Sequence, residues 1–212
     1  MLRLKNASRS LRRGIRIGAI GAALGILMAG SPVNAWTIFG LELGKPATTV
    51  QCELKTYADG RKSEFVYEDD PAEVCIEPDI QLRDAPWRRG SVNFPLKRIP
   101  LIVHGSSGYT LIVGGKLEGL QFDTMGYAHQ DAIIQELTAK FGRPTSVHKV
   151  TATPHGIPIP AMEAEWQLPD LYVRYESVGY SVDYGGLWIE TPVMQAVRRK
   201  FEAYNRAQRP KL

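Results

Sequence analysis

Hydrophobic residues recur along most of this chain in short runs broken by Gly, Pro, Asn and Asp, the spacing expected of antiparallel strands. Trp36 to Leu43 predicts a short strand ended by Gly44-Lys45-Pro46. Val50 to Leu54 and Glu64 to Tyr67 predict two more, joined at Asp59-Gly60. From Glu77 to Pro100 the pattern fades. Pro78, Pro86, Pro95 and Pro100, with Asp84 and Trp87-Arg88-Arg89-Gly90, predict a long connection or a boundary between subdomains 36–98 and 99–212.

Beyond that stretch, Leu101 to His104 and Tyr109 to Val113 predict a hairpin closed by Gly105-Ser106-Ser107-Gly108, and Leu117 to Phe122 a third strand after Gly114-Gly115. Further strands are expected at Val147 to Ala152, Ala161 to Leu168, Leu171 to Tyr175 and Leu187 to Glu190. The period changes to helical from about Tyr127 to Phe141, where Ile133, Ile134, Leu137 and Phe141 form one stripe and Gly142 and Pro144 supply the stop. A second helix starts at Thr191 as cap and Pro192 as first residue, with Met194, Val197, Phe201 and Tyr204 on one face.

This order predicts an α+β fold of antiparallel β-meander sheets, with two amphipathic helices lying across sheet faces. Glycine turn, strand, Thr and helix occur twice, from Gly114-Gly115 to Thr124 and from Gly185-Gly186 to Thr191. Leu43-Gly44-Lys45-Pro46 also echoes Phe141-Gly142-Arg143-Pro144, so an internal duplication of a ββα-type unit is a possible origin.

The apolar run from Ile17 to Gly30 is of another kind. It follows a basic stretch ending at Arg16 and precedes Ser31-Pro32-Val33-Asn34-Ala35, the three parts of a secretory signal peptide, with cleavage expected between Ala35 and Trp36. The run is too short for a membrane anchor, which needs about 20 apolar residues. No run in the mature chain 36–212 is long enough to span either. Arg12-Arg13 before a Gly-rich run is also compatible with twin-arginine export, although Arg16 stands where that signal usually carries an apolar residue. A periplasmic or secreted protein follows, with the general secretory route favoured.

Dividing the charge along the chain removes one class of partner. The formal charge is +4, yet residues 1–35 hold six of the 26 basic residues and none of the 22 acidic ones, so the mature chain carries −2. The basic balance belongs to the leader, which gives no ground for a nucleic-acid partner. Cys52 and Cys75 are the only cysteines, and an even count in an oxidising compartment predicts one structural disulfide. A redox or metal pair would need a Cys-x-x-Cys spacing or a nearby His.

Recognisable catalytic motifs are missing. His104, His129, His148 and His155 are dispersed without metal-ligand spacing. His104-Gly105-Ser106-Ser107-Gly108 is a turn, since two serines separate its glycines and no helical pattern follows as a nucleophile elbow requires. Glu163 and Glu165 share one strand face and cannot flank a sugar from opposite sides. No cofactor is implied.

Candidate binding residues come from two other features. Trp166, Tyr172, Tyr175, Tyr180, Tyr184 and Trp188 crowd a short segment. Of these, Tyr172, Tyr180 and Tyr184 are expected to be exposed, where they could meet sugar rings or a partner's side chains. Arg198 and Arg199 open a basic C-terminal segment in which Glu202 is the one acid.

Leu43-Gly44-Lys45-Pro46, the cysteine pair, and Lys140-Phe141-Gly142-Arg143-Pro144-Thr145 before a Trp-bearing strand resemble the small exported proteins of uncharacterised function in proteobacteria. The Leu-Gly-x-Pro turn also faintly resembles small periplasmic accessory domains of outer-membrane assembly. In those domains the turn follows a helix and a lipid-anchor Cys is present; here a strand precedes it and that Cys is absent. The resemblance implies export but assigns no site. The expectation is a non-catalytic binding or accessory protein of the envelope, its partner another envelope protein or a cell-wall component. The alternatives are a small periplasmic enzyme without a recognisable motif, and a secreted effector or inhibitor.

Overall fold

A computed structural model describes residues 36–77, 80–81 and 85–208. The expected leader, its cleavage site at Ala35, and Arg209 and Lys211 lie outside the described residues. The α+β expectation holds: the described residues form thirteen strands, all paired antiparallel, and two α-helices.

The first expected strand is a hairpin, β1 (Thr37–Ile38) and β2 (Leu41–Glu42), turning at Phe39-Gly40. Both turn residues have positive φ, +52° and +86°. Phe39 is held in that unfavourable region by its ring, which meets Phe94 and Phe122 edge-on at 6.0 and 5.4 Å. The next hairpin, β3 (Leu54–Thr56) and β4 (Lys62–Tyr67), turns at Asp59-Gly60 as predicted, while Val50 belongs to a 3₁₀ turn instead.

All other strands form one nine-stranded sheet. They are β5 (Cys75–Ile76), β6 (Ile80–Gln81), β7 (Arg88–Asn93), β8 (Ser107–Val113), β9 (Lys116–Met125), β10 (Ser146–Ala152), β11 (Ile159–Leu168), β12 (Leu171–Glu176) and β13 (Tyr184–Glu190). Their order is β10-β11-β12-β13-β9-β8-β7-β5, with β6 also on β7. Helix α1 (Gln130–Phe141) carries the chain from central β9 to edge strand β10, and α2 (Pro192–Gln208) follows β13.

Two expectations between residues 77 and 108 are corrected. Arg88 to Asn93 is a strand, with β5 and β6 on one side and β8 on the other, so the sheet runs through the proposed boundary at 98 and 99. Its polar sequence hid it, because the neighbouring ladders rather than an apolar alternation hold it in place. Leu101 to His104 is a turn rather than the first arm of a hairpin. The Val103 amide bonds back to Pro100, Ile102 and Val103 drop into the core, and Leu101 stays outside.

Cys52 and Cys75 are bridged, which fastens the base of the β3–β4 hairpin to the β5 edge of the sheet; the Cys52 amide also bonds to the Ile76 carbonyl at 3.0 Å. Closing a loop of 23 residues stabilises the fold by about 3 kcal/mol through the unfolded chain.

The core lies on one face of the sheet. Leu120, Phe122, Trp166, Leu171, Val173, Tyr175, Leu187 and Ile189 point there, against Ile38, Leu41 and Phe94 and against Ile133, Leu137 and Phe141 of α1. The Trp166 indole donates to the Gly142 carbonyl at 2.7 Å, and Gly142, at φ +80°, ends α1 as the sequence predicts. Helix α2 packs against the opposite face. Glu118, the extra residue at a β-bulge in β9, is buried there and accepts a hydrogen bond from the Thr191 hydroxyl at the start of α2. Its carboxylate thus sits at the positive end of that helix.

Candidate functional site

Cross-strand partners share a sheet face, so the register lays out the side chains opposite the core. One row crosses seven strands: Ser91, Tyr109, Gln121, Trp188, Arg174, Glu165 and Ser146. All seven are half-buried or exposed. Beside it, Asp123, Gly186, Glu176, Glu163 and His148 form a second, more acidic row. On the other side, Arg89, Leu111, Gly119, Glu190 and Tyr172 form a third row, which α2 partly covers.

Trp188 is at the centre of this open area. A Cβ built on Gly186 would lie 2.2 Å from Cη2 of the indole, so the benzo ring lies down over that glycine. The missing side chain at Gly186 is what lets the ring rest on the sheet. The Arg174 guanidinium is 5.4 Å from the indole and is tied to Glu176. Two strands away, Tyr109 is 38% exposed, with the Arg89 guanidinium over its ring at 4.2 Å. Tyr172 donates to Glu165 at 2.8 Å. Burial, and then that hydrogen bond, pushes its phenol up to about 12.

The five residues proposed from sequence fall into two groups on either side of Trp188. Tyr180 and Tyr184 stack at 5.0 Å, with the His104 ring edge-on to Tyr184 at 4.6 Å. Tyr172 pairs with Glu190, six residues along β13 from Tyr184, or about 20 Å in an extended strand. Arg198 joins this second group. It binds Glu190 and lies over Trp87, while Arg199 bonds to Gln195 within its own helix. Trp188 was missed because its exposure depends on a register that the sequence does not print. The available signal was its parity with Tyr184 and Gly186 on β13.

The remaining candidates do not converge. His129, His148 and His155 are exposed and scattered, and among the described residues no three His, Cys, Asp or Glu gather as metal ligands. Clefts of about 450 Å³ beside the disulfide and about 480 Å³ between Trp87 and α2 include neither His104 nor Asp123. No protein-family model matches the chain, and no curated protein or solved structure is significantly similar to it.

Proposed function

We propose that this is an exported, non-catalytic binding protein of the cell envelope, periplasmic or secreted, and that it binds through the open face of its sheet. The observation that carries this reading is the seven-strand row centred on Trp188. On this face, which the core does not use, half-buried Trp188 and exposed Tyr109 lie among polar and charged side chains. Export is supported by the leader pattern and by the disulfide, which persists in oxidising compartments. Trp36, the first residue after the expected cut, packs against Phe141 at 6.4 Å, so the fold uses the mature chain from its start. Among the described residues no helix is long and apolar enough to cross a membrane.

The test is capture of a partner from envelope extract by three forms of the protein: unaltered, Tyr109→Ala with Trp188→Ala, and lacking Arg206 to Leu212. The face substitutions are expected to abolish capture and the tail deletion to spare it. Capture that survives the face substitutions overturns the reading, and loss with the tail alone moves the site to the basic segment.

A further inference from the structure

We infer that the ligand of this face is a neutral, β-1,4-linked glycan strand lying across the sheet with alternate sugars on Tyr109 and Trp188. The inference rests on the preceding reading that the open face binds.

Three observations carry it. The first is the composition of the central row. Ser91, Tyr109, Gln121, Trp188, Arg174, Glu165 and Ser146 include two large rings and five hydrogen-bonding side chains, and no aliphatic residue. The centre of a protein–protein interface is depleted in charge. A row that mixes ring faces with polar groups suits instead a ligand with apolar C–H faces and hydroxyl edges, which is the chemistry of a pyranose.

The second is spacing. Tyr109 and Trp188 occupy the same row on β8 and β13, with β9 between them, so their Cα atoms are two strand spacings apart, about 10 Å. A β-1,4-linked strand is extended and presents the same face every second sugar, a repeat of matching size. Gln121 lies midway, with an amide to meet the hydroxyl edge of the intervening sugar. An α-1,4 strand curls and cannot seat both rings.

The third is charge. The row itself balances Arg174 against Glu165, and the neighbouring row adds Asp123, Glu163 and Glu176. That acidic flank repels an anionic polymer and leaves a neutral one unaffected. The guanidiniums of Arg89 and Arg174 lie over the Tyr109 and Trp188 rings, and a sugar seated there displaces them.

Binding of hexamers to the protein expressed with its leader and purified from the envelope tests this directly by calorimetry. The probes are the β-1,4 hexamer of N-acetylglucosamine, its disaccharide and an α-1,4 glucose hexamer. The β-linked hexamer is expected to bind, and the disaccharide to bind at least about tenfold more weakly because it cannot reach both rings. The α-linked hexamer is expected not to bind. Trp188→Ala and Tyr109→Ala should each weaken the β-hexamer about tenfold, with thermal unfolding of each variant measured to confirm the fold. Gly186→Ala, whose new Cβ would displace the indole, should weaken it without removing a ring. Absence of β-hexamer binding, equal binding of the α-linked control, or binding indifferent to both ring substitutions overturns the inference. If no hexamer binds while the same substitutions still abolish capture from extract, the glycan inference falls and the face keeps its role. If the β-hexamer binds wherever the rings are removed, both readings fall.

Discussion

On β12, Leu171, Val173 and Tyr175 are fully buried, while the residues between them, Tyr172, Arg174 and Glu176, are half-buried or exposed. The same division runs through β11 and β13. Trp166, Leu187 and Ile189 face α1 and the N-terminal hairpin; Glu165 and Trp188 face the open side. The two sides of one sheet therefore bear different loads. The core side is aliphatic and aromatic with few polar groups, and its burial holds the fold. The open side keeps large rings at intermediate exposure next to charges. That arrangement contributes less to stability, and it is on this side that we place binding.

The sharpest way to break this comparison is to change the same residue type on each side. Trp166→Ala should cost about 3–5 kcal/mol in chemical denaturation, since a fully buried ring and its bond to Gly142 are lost together. Trp188→Ala should cost less than about 1 kcal/mol. Equal losses would mean that the open face is structural.

Next in size is the disulfide. Replacing both cysteines with Ser should lower stability by about 3 kcal/mol, and a thiol titration of the native protein should find none free. Two reactive thiols would remove the staple from the account.

Helix α2 sharpens the contrast within one element. Phe201 packs edge-on to Trp87 at 5.1 Å, whereas Tyr204, expected on the same docking face, is 63% exposed. Phe201→Ala should therefore cost about 1–2 kcal/mol, and Tyr204→Ala less than about 0.5 kcal/mol. A large loss at Tyr204 would show that the last turns dock as the sequence pattern expects.

The smallest effect concerns pH. Tyr172 holds its proton more tightly when folded, so its contribution is complete below the ordinary tyrosine range and is lost as pH rises toward about 12. Stability should fall over that alkaline window, and Tyr172→Phe should flatten part of the fall in urea titrations; Tyr175, raised by its own burial, contributes to the same fall.

Much of this fold is legible in the sequence because local and tertiary signals agree. Ile133, Leu137 and Phe141 keep a helical period up to Gly142, and β12 alternates buried and open residues between its turns. Legibility fails where tertiary packing overrides local pattern. Phe39 takes a left-handed conformation inside an apolar run, Ile102 and Val103 are buried without being a strand, and β7 is a strand without an apolar pattern. The candidate site was half legible. Tyrosine enrichment picked out Tyr172, Tyr180 and Tyr184, but the row joining Tyr109 to Trp188 exists only once β9 is placed between β8 and β13.

The most direct test uses the four tryptophans as reporters, by following their indole N–H resonances while partner from envelope extract is added. Trp166 is in the core, Trp36 lies against Phe141, Trp87 lies under α2, and Trp188 is on the open face. The account predicts that the Trp188 signal shifts first and furthest while Trp166 stays still. A shift confined to Trp87, or to Trp36, with Trp188 unmoved would contradict it.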